Sequence, residues 1–368
     1  MARLMRVLAV NAGSSTLKLR LVTAHDQIGA TFDVDPWDGS AEAIGLTEWL
    51  RGLVDVDAVG HRIVHGGDRF TSAVRIDDEI LSSIAGLTSL APLHQPRALS
   101  AIEAVRAVMP DVPAVASFDT AFHSEMPAPA STYALPAAWR NRWPLRRYGF
   151  HGLSHAWATR RAAELVGRPI DDLRIVSCHL GAGASLCAAL GGRSVDTTMG
   201  LTPLEGLVMA TRAGSVDPGL MLWLLQHGRL SVSELADGLE HDAGLAGLAG
   251  GSGDMRQVIT GVERGDPDSC LAFAVHSHRL RREIAAMAAA LDGLDVVVFT
   301  GGIGEHQPTV RSAAIDGLRF LGLAVDPVRN RTASGDTDIS ADGSAARTLV
   351  VTSREDLEIA RQVRNTLH

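Results

Sequence analysis

The chain has 368 residues, 46% hydrophobic and 21% charged, with a formal net charge of −8 and only 4% aromatic residues. That length predicts two domains with ample core, and the acidic, aromatic-poor balance excludes the basic footprint and stacking surface of a nucleic-acid binder. No apolar run reaches the ~18 residues that would span a membrane, and MARLMRVLAV turns polar too soon for a signal peptide, so the expectation is a cytoplasmic chain with no membrane partner.

In chain order, short apolar runs predict strands at Val7 to Val10, Lys18 to Val22, Ala58 to Val64 and Val112 to Ser117. Further strands are expected at Leu173 to Cys178, Ser185 to Leu190, Asp295 to Thr300 and Thr348 to Thr352. Helical spacing is read over Ala98 to Val108, His155 to Leu165, Gly219 to Gln226 and Leu271 to Leu291. Strands with intervening helices make this an α/β protein. Cys178, Cys187 and Cys270 are odd in number and lack CxxC spacing, which argues against a disulfide framework and a zinc site.

Two segments echo each other. VLAVNAGSSTLKLRLV, Val7 to Val22, and IVSCHLGAGASLCAAL, Ile175 to Leu190, each run from an apolar strand through a polar residue (Asn11 or His179) and small residues around a glycine into a second apolar strand. A spacing this long points to a duplicated domain and not to a solenoid. Small residues at such turns bring backbone N–H groups close to a ligand, so two hairpins of this kind would grip a polyphosphate from both sides. VVVFTGGIGE, Val296 to Glu305, is a third strand-to-loop unit. Neither GxxxxGK[ST] nor a well-placed GxGxxG is present, so this is not a P-loop or Rossmann site by motif.

The full set of motifs closely resembles the acetate kinases, of the sugar kinase/Hsp70/actin-like superfamily. The matching segments are VNAGSSTLK, GHRIVHGG, APLHQP, FDTAFH, RYGFHGLSH, HLGAGAS, MGLTPLEG, ATRAGSVDPG, TGGIGEH and SREDLEIAR, in the family's order from Val10 to Arg361. The resemblance implies two duplicated actin-like (ribonuclease H-like) α/β domains around a nucleotide cleft. The first would be residues 1–121 plus a returning helix at 356–368, and the second, which binds the nucleotide, residues 122–355. It further implies a homodimer and reversible transfer of the ATP γ-phosphoryl to acetate, giving acetyl phosphate and ADP, with Mg²⁺ or Mn²⁺.

That chemistry suits the residues. Acetate, like a Glu side chain, is already ionised at neutral pH and needs no general base; the obstacle is repulsion between two anions and the charge of the in-line transition state. Guanidinium groups answer it, because they fork onto carboxylate and phosphate oxygens. By resemblance, Arg62 and Arg212 sit at the acetate and the transferred phosphoryl, and His151 donates to that phosphoryl. His151 and His155 are four apart, but HExxH is not met. Asp119 organises metal and nucleophile, and Asn11 and Glu355 lie near the metal, which takes one or two carboxylates plus phosphates and waters. Glu355 can equally be a first-turn acid of the last helix, and His179 either faces phosphate or is structural. Val64, Leu93, Phe150 and Pro203 wall the acetate methyl pocket by the same resemblance.

The nucleotide is expected at Ser14, Thr16 and Lys18 of the first hairpin and at His179, Leu180, Gly181, Ala182 and Gly183 of the second. Adenine would lie against Gly301, Gly302, Ile303 and Gly304, opposite Asp254, Met255 and Arg256. The mobility of GLAGLAGGSG, Gly244 to Gly253, is left open by composition. Four positions depart from the family's pattern: Ala182 and His306 where Asn is usual, Gln95 where Asn follows APLH, and Ala210 where Gly precedes TR. The alternative readings are a propionate or butyrate kinase with the same site and, from another class, a nucleotide-hydrolysing module.

Overall fold

The computed structural model describes residues 5–13, 16–40, 45–92 and 94–368. Contacts divide the chain into two units. One comprises Met1–Ser124, Phe150–Trp157 and Arg354–His368; the other comprises Glu125–Gly149 and Ala158–Ser353. Phe150–Trp157 thus groups with the first unit despite its place in the middle of the chain.

The first unit is built on a six-stranded sheet of β1 (Val7–Ala12), β2 (Leu17–Val22), β3 (Ile28–Val34), β4 (Ala58–Ile63), β5 (Val74–Arg75) and β6 (Ala114–Phe118), in the order β3-β2-β1-β4-β6-β5. β3, β2 and β1 form an antiparallel meander; β1, β4 and β6 run parallel, and β5 closes the edge antiparallel. Successive residues of a strand face opposite ways. Leu8 and Val10 accordingly pack with Ala101 and Val105 of helix Gln95–Val108. Val7 and Ala9 pack with Ile359, Ala360 and Val363 of helix Glu355–Leu367. That last helix lies close to β4 because Gly60 has no side chain: a Cβ there would stand 2.3 Å from Ile359 Cγ2 and 2.6 Å from Val363 Cγ2.

The second unit repeats the plan. Its strands are β7 (Arg174–Leu180), β8 (Ala184–Leu190), β9 (Arg193–Thr197), β10 (Val296–Thr300), β11 (Thr337–Asp338) and β12 (Arg347–Val350). From one edge they read β9-β8-β7-β10-β12-β11, with the same succession of antiparallel, antiparallel, parallel, parallel and antiparallel pairs as the first sheet. The two polar hairpins of the sequence, β1–β2 and β7–β8, occupy equivalent places, which makes the echo a duplication. Helix Pro267–Ala290 covers β8 and β7. Asp266 caps it by accepting from Ser269 N at 2.8 Å, and its buried face, Ala272, His276, Leu280, Ile284 and Met287, recurs every three to four residues. Among the described residues no helix is long and apolar enough to cross a membrane. All three cysteines are unpaired.

Candidate active site

In the first unit, four polar side chains far apart in sequence converge at the ends of β1, β4 and β6. Arg62, the penultimate residue of β4, grips Asp119 just past β6: its Nη2 donates to Oδ2 at 2.6 Å and its Nε contacts Oδ2 at 3.1 Å and Oδ1 at 3.2 Å. Its Nη1 donates to Asn11 Oδ1 at 2.9 Å and lies 3.7 Å from Glu355 Oε2. Asn11 Nδ2 in turn donates to Glu355 Oε2 at 2.7 Å. The Asp119 side chain is 1% exposed, those of Arg62 and Glu355 15% and 13%. A guanidinium carries five N–H donors. Among the described residues, three of these N–H groups are engaged by Asp119 and Asn11, which leaves two for another anion.

Burial alone would pull the Arg62 guanidinium down; the Asp119 and Glu355 carboxylates outweigh it and hold its pKa above the usual value. Burial pushes the Asp119 carboxyl up, against the opposing pull of Arg62. The two partners thus answer the same pair in different senses, and the short forked contact identifies the ionised pair as the resting state.

His151 is locked against this cluster by its backbone. It holds a left-handed φ of 58°, uncommon for a residue with a side chain, and a backbone hydrogen bond from His151 helps to keep Asp119 ionised. The next N–H, of Gly152, donates to the Asp119 carbonyl at 3.0 Å. Gly152 is obligatory there: a Cβ would come within 2.1 Å of that same carbonyl oxygen. This explains why the motif reads FHG. Helix Glu355–Leu367 begins at Glu355, with no side-chain cap on its first turn; the Glu355 carboxylate faces Asn11, and its position also complements the helix dipole. Val64 and Phe150 are buried apolar residues of the first unit. Thr16 precedes β2, and Lys18 is exposed on it beside Asn11. Ser14 and Leu93 lie outside the described residues.

The second unit holds a cavity of about 590 Å³, within the size range of small-molecule and cofactor sites. It gathers seven of the nucleotide residues expected from sequence: Gly181 and Ala182 from the β7–β8 turn, Asp254, Met255 and Arg256, and Gly302 and Ile303. Leu180, Gly301 and Gly304 are buried and outside its lining, while His179 and Gly183 flank the turn. Asp254 caps helix Met255–Glu263 through Arg256 N at 2.9 Å, and the Arg256 side chain folds back onto its carboxylate. Gly181 N closes the turn onto Gly183 O at 2.9 Å, and Ala210 N donates to Ala182 O at 3.1 Å. The wall also includes Ser252, Gly253 and Gln307, which sequence reasoning did not single out, and two of the departures, Ala210 and His306. The Gly-rich run that supplies Ser252 and Gly253 was the available signal.

Arg212 has surroundings opposite to those of Arg62. Burial depresses its guanidinium, only partly offset by Glu240, and its hydrogen bond among the described residues runs from Nη1 to the Pro203 carbonyl at 2.9 Å. Its loop is riveted by Tyr133, outside the matching motifs, and by Arg147 and Glu205, which lie within RYGFHGLSH and MGLTPLEG but carried no assigned role. Glu205 Oε1 accepts from Arg147 Nη2 at 2.8 Å and Oε2 from Tyr133 Oη at 2.7 Å. Arg147 also donates to the carbonyls of Thr198 and Met199. Burial and Glu205 push the Tyr133 phenol up to about 12. Among the described residues no group of three His, Cys, Asp or Glu side chains gathers as a metal site.

Residues 41–361 match the acetokinase family. The chain belongs to this family. It is 42% identical to an acetate kinase of Synechococcus sp. across 99% of both chains. Among solved structures, acetate kinase from Porphyromonas gingivalis superposes with a TM-score of 0.90 at 32% identity, covering 99% of this chain and 100% of that one. A propionate kinase from Francisella tularensis superposes equally well, TM-score 0.90 at 33% identity, over 98% of this chain and 99% of that one. The acetokinase fold accounts for the twin sheets, and membership makes the chain a phosphotransferase that uses ATP.

Proposed function

We propose that this chain forms acetyl phosphate by direct in-line attack of acetate on the γ-phosphoryl of ATP, and runs the reverse reaction at the same residues. The observation that carries the reading is the contrast between its two arginines. Arg62 is neutralised by carboxylates yet keeps two donors. Arg212 is desolvated beside a carbonyl with no carboxylate among the described residues bonded to it, a positive charge prepared for an incoming anion. Arg62 orients acetate, Arg212 takes up charge on the transferring phosphoryl, and His151 donates to it. Val64, Leu93, Phe150 and Pro203 receive the methyl group. The second-unit cavity holds adenosine, with Asp254, Met255 and Arg256 facing Gly302 and Ile303. The phosphate-binding role is assigned to Thr16 and Lys18 of the first unit, with Ser14 beside them in sequence, and to His179, Leu180, Gly181, Ala182 and Gly183 of the second.

An all-oxygen set of Asn11, Asp119 and Glu355 suits a hard divalent cation such as Mg²⁺ or Mn²⁺, with substrate phosphates and waters completing its shell. Glu355 and Asn11 would hold it and Asp119 would orient that pair through Arg62; when bound, the cation neutralises phosphate charge. ATP as co-substrate and three unpaired cysteines fit a cytoplasmic setting. The active form is a homodimer, supported by an apolar helix left open on the second unit.

An acyl phosphate assay with hydroxylamine trapping, run with acetate, propionate and butyrate, tests the reading. Acetate should be the best acid, with propionate poorer because one extra methylene changes discrimination by only about 1 to 3 kcal/mol. Val64→Ala should narrow that gap. Arg212→Ala should reduce turnover at saturating ATP by about 10²- to 10³-fold, the usual loss on removing one transition-state donor. A wild-type preference for propionate would favour the propionate kinase reading, and unchanged turnover in Arg212→Ala would remove the mechanism.

A further inference from the structure

Helix Gly301–His306 presents Gly302, Ile303 and His306 to the second-unit cavity, yet little in its own sequence holds it. Six residues are far below the length at which a helix persists unaided, three of its first four residues are glycine, and Thr300 makes no side-chain cap bond. The last carbonyls of any helix lack intrahelical partners. Here a side chain supplies them. Arg311, 1% exposed, donates from Nη1 to both Gly304 O and Glu305 O at 2.8 Å. Its Nε donates to Asn330 Oδ1 and its Nη2 to Asn330 O, each at 2.7 Å. Asn330 is fixed in turn by bonds from Nδ2 to Pro308 O at 2.9 Å and Ser312 Oγ at 2.8 Å.

Among the described residues no carboxylate takes part. The positive charge is met by carbonyl and amide oxygens and by the negative end of the short helix. Burial pulls the guanidinium down to about 10, which leaves it protonated at neutral pH. A buried cation is costly, and an apolar residue of similar size would fill the space more cheaply. What an apolar residue would lack is the fork that fixes two consecutive carbonyls of the helix to Asn330.

We propose that Arg311, seated on Asn330, is a positioning residue for the nucleotide: it sets the pitch and placement of helix Gly301–His306 so that Gly302, Ile303 and His306 form a preorganised wall for the base. The inference rests on the cavity being the nucleotide site. Lysine is the discriminating replacement, because it keeps charge and length but offers a point of three donors in place of a planar fork.

The test is ADP binding by titration calorimetry together with steady-state kinetics on the full chain. Arg311→Lys should weaken ADP and raise KM for ATP by about tenfold, as expected for one or two lost charged hydrogen bonds, with kcat and KM for acetate changed less than about threefold. Asn330→Ala, which leaves the arginine in place but loosens its seat, should shift the same constants in the same direction by less. A purely structural role would lower the melting temperature and leave KM for ATP unchanged, and that result in either variant would overturn the proposal. If Arg311→Lys fails to fold, Asn330→Ala carries the test. Wild-type protein that bound no ADP would instead remove the nucleotide reading of the cavity.

Discussion

Arg62 and Arg212 show how surroundings assign different work to one residue type. Arg62 stands where desolvation is offset by two carboxylates, whereas Arg212 meets desolvation with little compensation. The same logic governs the histidines. His61, His123 and His276 are buried, and burial pushes their pKa values down to about 3, 4 and 4. For His123 the ring Nε2 lies 3.1 Å from the Phe150 carbonyl, so the neutral ring carries its proton on that nitrogen. Above pH 6.5 such a ring is neutral in both folded and unfolded chains and contributes no pH dependence. Between 6.5 and about 4 only the unfolded chain takes up the proton, so stability falls as pH falls. Gln at position 123 can keep an N–H for Phe150 O and does not titrate. Thermal unfolding of wild type and His123→Gln at pH 7, 6 and 5 should therefore diverge, with wild type losing up to about 1.4 kcal/mol more per pH unit. Parallel curves would show that His123 is not held neutral.

At the scale of elements, the helix that carries Glu355 is seated on β4 by the missing side chain of Gly60. A methyl there would collide with Ile359 and Val363, both fully buried, and overpacking of this kind costs about 1 to 3 kcal/mol. Gly60→Ala should lower the melting temperature by a few degrees, roughly 2 to 4 °C per kcal/mol in a chain of this size. It should also reduce turnover, because Glu355 moves with the helix. Adding Ile359→Ala, which reopens the space, should recover part of both losses; a strictly additive double variant would mean that the two side chains do not compete. Such close approaches mark the limit of what sequence can tell. The strands buried on both faces, such as VLAV and VVVF, were legible from their apolar runs, and the motifs located Asn11, Arg62, Asp119 and Glu355. β3 was missed because its residues alternate between half-buried and exposed with none fully buried, and β5 and β11 because two residues carry no period. Arg311 and Tyr133, outside the motifs, and Arg147, inside RYGFHGLSH but without an assigned role, were missed as supporting residues for a different reason. Much of their bonding is to backbone carbonyls and N–H groups, and a carbonyl acceptor leaves no mark in a sequence.

On the whole molecule, the feature least like a finished surface is helix Pro218–Gln226. Its sequence, PGLMLWLLQ, is that of a core helix, yet none of its residues is buried: Leu220 is 45% exposed, Leu222 57% and Trp223 55%. Val216 and Val232, on either side in the chain, are also exposed. Scattered apolar residues on a surface need no explanation, but a contiguous group of large ones marks a site of association. A second copy of the chain is the simplest cover, since a two-fold axis lets one self-complementary patch bury itself and most soluble oligomers are closed in this way. Homodimer interfaces are also more apolar than transient ones, which suits a helix with no charged residue between Pro218 and Gln226. Sedimentation equilibrium at micromolar concentration should give twice the mass of the 38.9 kDa chain. Leu222→Glu with Trp223→Glu places two carboxylates in each half of the interface, and like charges meeting across a desolvated contact cost several kcal/mol. The double variant should run as a monomer and, because neither residue lines the nucleotide cavity, should still bind ADP. Wild type at monomer mass would rule out a dimer, and a variant that remains dimeric would place the association elsewhere; either result would leave this helix without a partner of its own kind.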